Sequence, residues 1–109
     1  MKITDKQREI CENRDWSVEI DSDGDAMLEN WSPAGEDLVF YVDKDEEFVA
    51  GVKRLAADFD PDEHAEMWVE GRGKNGVPGT IRQLLDDAEA IDKMLQDLAA
   101  ALAETEGTE

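Results

Sequence analysis

Apolar and polar residues alternate in the first half of the chain, a spacing typical of β-strands with one buried face. The alternation runs through Trp16 to Ile20 and, after a turn in Asp21 to Asp25, resumes in Ala26 to Trp31. Ser32 to Gly35 fits a type I turn, with proline second and glycine fourth, and it precedes an apolar strand in Leu38 to Val42. The pattern therefore predicts a three-stranded antiparallel meander.

A helix is predicted before these strands. Thr4 and Gln7 have the spacing of a capping box, in which each side chain accepts a hydrogen bond from the other residue's backbone. The helix should run to about Arg14, with Ile10 and Cys11 facing inward. Cys11 is the only cysteine, so the chain cannot form an internal disulfide, and we expect a small buried side chain.

Two further helices are predicted directly after the strands. Asp45 to Asp58 has apolar residues at intervals of four, three and four, which places them on one face that packs on the sheet. The residues on that face are Phe48, Val52, Leu55 and Phe59. Asp60 then caps a short helix with Pro61 at its first position, and this helix should end near Gly71.

A long amphipathic helix is predicted from a cap at Thr80 to about Ala103. Its apolar residues recur at intervals of three and four: Ile81, Leu84, Ala88, Ile91, Leu95, Leu98 and Leu102. This seam favours packing of the helix on the core of its own chain. The alternative is a homodimer through the far turns, with Leu95, Leu98 and Leu102 at the interface.

These elements predict an α+β fold in the order α-β-β-β-α-α-α, with the meander packed against about four helices. A chain of 109 residues fits one domain, so we expect a single domain over residues 1–109 with a frayed tail from Glu104 to Glu109. No apolar run reaches the roughly 18 to 20 residues that cross a bilayer, and Met1 to Asp5 lacks the apolar stretch of a secretion signal. The sequence thus predicts a cytoplasmic protein without a membrane partner.

Negative charge is the most informative feature of the composition. The chain has 29 acids and 11 bases, for a net charge of −18, and residues 15–66 hold 17 of the acids with three bases. Such a surface repels nucleic acid and attracts basic protein surfaces. The sequence therefore predicts a basic protein partner, most simply a nucleic-acid-binding protein, and no direct contact with nucleic acid. Adaptation to high salt, or solubility alone, would produce the same composition.

Three motifs suggest chemistry, and their context argues against each. Asp21, Asp23 and Asp25 resemble a calcium loop, but neither the glycine nor the closing glutamate lies where an EF-hand requires it. Gly71 to Gly76 matches G-x-G-x-x-G, yet it follows a predicted helix instead of a strand, which leaves a connector or a weak anion site. His64 is the only histidine, and no nucleophile or second imidazole lies beside it by spacing. We therefore expect no enzyme activity, no cofactor and no metal.

Nine acids near turns and strand ends are the best candidates for contacts with a partner. They are Asp21, Asp23, Asp25, Glu36, Asp37, Asp43, Asp45, Glu46 and Glu47. Alternate residues on one face of a strand repeat at about 6.8 Å, and duplex DNA carries about one charge per 1.7 Å of its axis. A net charge of −18 over a body roughly 34 Å across has a comparable average density, so magnitude and spacing both permit imitation of DNA.

Two segments carry a resemblance to known sequences: Trp31 to Asp37, WSPAGED, and Phe59 to Trp68, FDPDEHAEMW. With the acidic last helix, they resemble small hypothetical proteins of phages and mobile elements of gut bacteria. Acidic proteins of such elements include anti-CRISPR and anti-restriction inhibitors, several of which occupy DNA-binding clefts. The resemblance implies an inhibitor, similar to a DNA mimic, that binds the basic nucleic-acid cleft of a host defence protein.

Two other hypotheses come from the residues themselves. The first is a non-enzymatic accessory or interaction protein that uses the apolar seam of the last helix, with its acids serving solubility. The second is a small enzyme that uses His64, and this hypothesis predicts a deep pocket around that side chain.

Overall fold

The computed structural model describes residues 1–74 and 77–106, and within them it has four α-helices and three strands. The helices are α1 (Asp5–Glu12), α2 (Phe48–Asp58), α3 (Pro61–Met67) and α4 (Ile81–Ala103), and a short 3-10 helix, Val69–Gly71, follows α3. The strands are β1 (Ser17–Ile20), β2 (Ala26–Trp31) and β3 (Asp37–Val42). The predicted α+β class and the order α-β-β-β-α-α-α are confirmed.

The three strands form one antiparallel sheet in the order β1-β2-β3, which is the predicted meander. In its register, Leu28 pairs with Val18 on one side and Phe40 on the other, while the adjacent Met27 pairs with Glu19 and Tyr41. Successive side chains of a strand point to opposite faces. The row of Leu28 therefore faces the helices, and the row of Met27 faces away from them.

Both predicted hairpin turns are present, and each depends on a glycine with positive φ. Gly24 has φ +90° and donates its N–H to the carbonyl of Asp21 at 3.0 Å. Gly35 has φ +95° and donates to the carbonyl of Ser32 at 2.9 Å. Residues with a Cβ rarely adopt this conformation, so these two glycines determine where the chain reverses.

The predicted helix caps are also present. Thr4 Oγ1 accepts the N–H of Gln7 at 3.1 Å, and Gln7 Oε1 accepts the N–H of Thr4 at 3.0 Å, which completes the capping box of α1. Thr80 Oγ1 accepts the N–H of Gln83 at 3.1 Å at the start of α4. Each cap provides a partner for a backbone N–H that has none within its helix.

The predicted start of α2 is wrong by three residues. The helix begins at Phe48 and not at Asp45, because Glu47 is its N-cap and its carboxylate accepts the N–H of Ala50 at 2.7 Å. The residues before Glu47 form a separate turn, which the N–H of Glu46 closes on the carbonyl three residues earlier at 2.9 Å. Acids that the pattern placed in a helix therefore lie in a surface turn.

The hydrophobic core has a large and a small part, and α4 contributes to both. The large part lies between the sheet and the helices α1, α2 and α4, and its fully buried side chains include Cys11, Leu28, Val42, Phe48, Val49, Val52, Ile91, Leu95, Leu98 and Leu102. The small part joins the first turns of α4 to α3 through Leu84, Ala88 and Ala65. Ile20, which the alternation placed on the buried face, is 43% exposed because it lies at the end of the edge strand β1.

The leucines considered for a dimer interface lie inside the large core. Leu95, Leu98 and Leu102 have exposed fractions of 1%, 0% and 0%. Their seam is therefore filled by side chains of the same chain, as the packing interpretation requires. None of the three side chains is exposed for contact with a second copy.

The segment predicted to fray is held at its beginning. The N–H groups of Thr105 and Glu106 donate to the carbonyls of Leu102 and Ala103 at 3.0 and 3.1 Å. Glu106 also forms an ion pair with Lys53 of α2. Residues 107–109 lie outside the described residues. Within the described part of the chain, no helix combines the length and apolarity needed to cross a bilayer.

Gly51 marks the closest approach between α2 and the sheet. A Cβ at this position would lie 2.3 Å from Val42 Cγ1 and 3.0 Å from Val42 Cγ2. Val42 is fully buried, and its β-branched side chain has little rotational freedom. Only glycine therefore allows the helix to pack this closely against β3.

We expect Gly51→Ala to lower the free energy of unfolding by about 1 to 2 kcal/mol, because overpacking costs about 1 to 3 kcal/mol and outweighs a gain in helix propensity of up to about 1 kcal/mol. Urea denaturation followed by circular dichroism measures this change. A Val42→Ala background removes both methyl contacts and leaves only the Val42 Cβ at 3.2 Å, so the same substitution should cost clearly less there. An equal loss in both backgrounds would show that the contact with Val42 is not the cause.

Candidate functional site

Two acidic turns meet at one end of the sheet. The β1–β2 turn is closed by the N–H of Asp21, which donates to the carbonyl of Asp25 at 2.9 Å. The register pairs Ala26 with Val42, so Asp25 comes directly before this pair and the β3–α2 turn comes directly after it. The N–H of Lys44 then donates to Asp25 Oδ1 at 2.8 Å and joins the two turns.

We call this region the acidic end. It comprises seven of the nine predicted contact residues: Asp21, Asp23, Asp25, Asp43, Asp45, Glu46 and Glu47. The antiparallel register brings the two groups together, although the residues in contact, Asp25 and Lys44, are 19 positions apart in sequence, because β2 and β3 run out and back between them. The sequence predicted each group separately but not their contact.

The first turn holds three carboxylates close to one another. Oxygens of Asp21, Asp23 and Asp25 lie within 4.8 Å of one another. Asp21 Oδ1 accepts the N–H groups of Asp23 and Asp25 at 2.9 and 3.0 Å, and these bonds account for the close arrangement. Like charges at this separation repel one another and raise the local negative potential, which strengthens the attraction of a basic surface.

In the second turn, one of the acids is neutralised by a base. Glu46 receives two hydrogen bonds from Arg54, at 2.8 and 2.9 Å from Nε and Nη2. The bond from Arg54 is the main cause that lowers the pKa of Glu46, and the same contact raises the pKa of Arg54. Glu47 caps α2 and Asp43 Oδ1 accepts the N–H of Asp45 at 2.8 Å, so these acids also stabilise the fold.

Asp23 and Asp45 are the acids most available to a partner. Both residues are exposed. Within the described part of the chain, neither carboxylate forms a hydrogen bond or an ion pair, whereas both backbone N–H groups donate to neighbouring aspartates. Their charges can be changed without the loss of a contact that supports the fold.

The other two predicted contact residues, Glu36 and Asp37, lie at the opposite end of the sheet. Glu36 Oε2 is 3.0 Å from His64 Nε2, and both side chains are mostly buried. Glu36 therefore joins the β2–β3 turn to α3 and has little surface for a partner. Asp37 is exposed and pairs with Trp31 across the strands. The nine predicted residues thus do not form one continuous site.

His64 lies beside a small surface depression and not in a deep pocket. The depression has a volume of about 160 Å³, whereas small-molecule sites commonly have roughly 300 to 1,000 Å³. The imidazole also packs on Phe59, with ring centroids 5.1 Å apart. The contacts with Glu36 and Phe59 help to hold α3 in place. The depression beside the histidine is smaller than the deep pocket that the enzyme hypothesis predicts.

The last two residues of the G-x-G-x-x-G motif, 75 and 76, lie outside the described residues. The glycine-rich connector is described on both sides of them. Gly73 donates its N–H to the carbonyl of Val77 at 3.1 Å, which closes the connector on itself. Arg72 and Lys74 are exposed. The motif is not preceded by a strand, because the 3-10 helix after α3 ends at Gly71.

Cys11 is fully buried in the large core. Its burial raises the pKa of the thiol to about 11, against a smaller opposite effect of Arg14 and Arg8. The thiol is therefore protonated at neutral pH, and since the thiolate is the reactive form of cysteine, the group acts as part of the core. This agrees with the prediction of a small buried side chain.

Asp87 is a buried acid that the sequence reasoning missed. It is 6% exposed and lies on the packed side of α4. Its Oδ2 accepts the hydroxyl of Ser32 at 2.7 Å, and its Oδ1 accepts the N–H of Ala34 at 2.9 Å. Its position three residues after Leu84 and four before Ile91, both on the apolar seam, was the available signal.

The sheet face that points away from the helices was also missed. Its apolar residues include Trp31, Val39 and Tyr41, which are 63%, 40% and 50% exposed. The alternation predicted that one face of the sheet would be polar. Three large apolar side chains instead lie on the solvent side.

Comparisons with models of protein families, with curated proteins and with solved structures find no match for this chain.

Proposed function

We propose that this protein is a non-enzymatic inhibitor that binds the basic nucleic-acid cleft of another protein, with the acidic end as its main contact. The observation that supports the proposal is the hydrogen bond from Lys44 to Asp25, which brings the two acidic turns together into one surface. Seven acids from two separate parts of the sequence then lie at one end of the sheet, and Asp23 and Asp45 are the most available of them.

The distribution of bases strengthens this negative surface. Residues 15–66 contain three bases, and two of them are paired with acids: Lys53 with Glu106 and Arg54 with Glu46. The third base, Lys44, lies between Asp43 and Asp45, so the seven carboxylates of the acidic end face one lysine and the Arg54 that is bound to Glu46. A concentrated field of one sign attracts an oppositely charged cleft and raises the rate of encounter.

The identity of the partner rests on the resemblance to proteins of phages and mobile elements. In that context, the basic cleft belongs to a host defence protein of the CRISPR or restriction type. The inhibitor would occupy the path of the nucleic acid and compete with it directly, without any catalytic step.

We expect the double variant Asp23→Lys, Asp45→Lys to lose most of its binding to the basic partner. It reverses the charge of the two acids of the acidic end that are most available to a partner. The measurement is DNA protection: a purified nuclease of the defence class is titrated with the protein and the uncut DNA is quantified. The expected change is a rise of at least tenfold in the concentration that gives half protection, since two charge reversals at a complementary interface place like charges against each other.

The matched control is Glu66→Lys, Glu89→Lys, which has the same net charge but changes exposed acids on α3 and α4. If local charge at the acidic end matters, this control should inhibit nearly as well as the unchanged protein. Equal loss in the two variants would indicate that total charge, not this surface, drives capture. Unchanged protection in the first variant would refute the proposed contact.

The alternative function, a non-enzymatic accessory or interaction protein, also needs a free surface. The apolar seam of α4 does not supply it, since its leucines lie in the core. An interaction protein would instead use an exposed apolar surface, such as the sheet face with Trp31 and Tyr41.

A further inference from the structure

Among residues 1–74 and 77–106, no helix covers one of the two faces of the sheet. Its outward positions follow from the register, because residues paired across strands point to the same side. We call it the outer sheet face: Ser17 and Glu19 of β1, Met27, Glu29 and Trp31 of β2, and Asp37, Val39 and Tyr41 of β3. The helices cover the opposite face, where the row of Leu28 is buried.

Exposed aromatic side chains are the unusual feature of this face. Trp31 is 63% exposed and Tyr41 is 50% exposed. Val39, which lies in β3 between Tyr41 and the partner of Trp31, is 40% exposed. Tryptophan and tyrosine are enriched at protein interfaces, where they provide large and rigid contact surfaces. Their exposure on a strand face indicates a surface that a partner covers.

Carboxylates surround these rings. Glu19, Glu29 and Asp37 occupy outward positions, and none of the outward positions of the three strands is a lysine or arginine. A recess of about 260 Å³ lies at the Trp31 end of the face, between Asp15, Ser17, Glu29, Asn30, Trp31 and Asp37. Three carboxylates and one indole ring therefore line the same depression.

Three bases close to the sheet are held by other contacts. Arg8 donates to the carbonyl of Val18 in β1 at 2.9 Å. Arg14, next to Asp15 in sequence, donates to Asp97 of α4 at 2.9 Å. Arg54 reaches the edge of β3, where it donates to the carbonyl of Tyr41 at 3.3 Å, but it is held by Glu46 of the acidic end. Among the described residues, Glu19, Glu29 and Asp37 form no ion pair.

We propose that the outer sheet face binds arginine side chains of a basic partner segment, with Trp31 and Tyr41 stacking on guanidinium planes and Glu29 and Asp37 accepting their N–H groups. This inference rests on the proposed function and names the chemical group that the partner contributes. Arginine suits the site better than lysine, because its planar group both stacks on aromatic rings and donates paired hydrogen bonds to carboxylates.

The charge of the outer sheet face disfavours a second copy of this chain as its occupant. A two-fold interface brings the same surface of both copies together. The carboxylates of the outer sheet face would then meet one another, and like charges across an interface are strongly unfavourable. Charge complementarity therefore selects a basic partner.

The test uses two peptides of equal length and charge, hexa-arginine and hexa-lysine, titrated at low salt into the full-length ¹⁵N-labelled protein and followed by amide chemical shifts. We expect hexa-arginine to bind about two- to fivefold more tightly, as a stacking contact at an exposed site provides. Its largest shifts should fall in β2 and β3. Trp31→Ala should remove this preference, and Trp31→Phe should keep part of it.

Two controls separate the outer sheet face from the acidic end. Met67→Ala removes another highly exposed apolar side chain, 70% exposed on α3, and should leave both affinities unchanged. Asp23→Lys, Asp45→Lys should weaken both peptides by the same factor and keep the arginine preference. This pattern would support separate roles of the two surfaces.

Three results would overturn the inference. Equal affinities of the two peptides, with shifts confined to the acidic turns, would refute the arginine site and leave the proposed function standing. An absence of binding by either peptide at low salt would count against both. Shifts in β2 and β3 that depend on protein concentration without any peptide would show that a second copy occupies the face.

Discussion

Leu98→Ala is expected to lower the free energy of unfolding by roughly 2 to 5 kcal/mol, because it removes a fully buried side chain and leaves a cavity. Leu98 lies in the part of α4 that packs in the large core together with Leu95 and Leu102. Small domains have a total stability of about 5 to 15 kcal/mol, so this loss removes a large share of it. Thermal and urea denaturation measure the effect.

The same helix offers a matched control. Ile81, the first residue of α4, is 56% exposed, and Ile81→Ala should change stability by a few tenths of a kcal/mol, as is usual for surface positions. Leu98→Ala also tests whether the leucine seam of α4 belongs to the core or to a dimer interface. If Leu98→Ala left the monomer as stable as before and dissociated a dimer in light scattering, the leucine seam would be an interface and the burial in the core would be wrong.

Asp87→Ala is expected to lower the free energy of unfolding by roughly 2 to 3 kcal/mol, the usual effect of losing a buried hydrogen bond to a charged group. The substitution leaves the Ser32 hydroxyl and the Ala34 N–H without their acceptor. Ser32 Oγ in turn accepts the N–H of Glu36, whose side chain contacts His64. Disruption should therefore spread from α4 through the hairpin turn to α3.

Asp86→Ala is the control for this variant, because Asp86 is the exposed neighbour on the same helix and its loss changes charge and helix propensity by the same amount. It should be nearly neutral in urea denaturation. Hydrogen exchange gives a second readout: the amide of Ala34 should lose protection in Asp87→Ala and keep it in Asp86→Ala. Equal stability of the two variants would show that Asp87 does not anchor the turn.

Much of the fold was predictable because it depends on short-range chemistry. The capping pairs at Thr4 and Thr80, the glycine turns at Gly24 and Gly35, and the apolar spacing of α4 act within a few residues of one another. Such signals are readable in one sequence. The start of α2 was the exception. The periodicity placed Glu47 inside the helix, but Glu47 is its N-cap, because its side chain accepts the N–H of Ala50.

The candidate site was predictable in its residues and not in its arrangement. Composition identified the acids between residues 15 and 66, and turn chemistry placed most of them on the surface. Glu36 was selected for the same reasons as Asp45, yet Glu36 contacts His64, whereas the Asp45 carboxylate forms no hydrogen bond or ion pair with the described residues. Whether a charge is available depends on the side chain that the fold brings to it.

By itself, the sequence determined the class and order of the elements, the concentration of charge and the apolar seam of the last helix, because these depend on the type and spacing of neighbouring residues. The tertiary structure decided which side chains are buried and which lie together on the surface. It joined two acidic turns into the acidic end, buried the leucines of α4 and left Trp31 and Tyr41 exposed. Each of these outcomes depends on contacts between residues far apart in the chain. The register of β2 and β3 and the packing of α4 determine those contacts, and no local pattern encodes them.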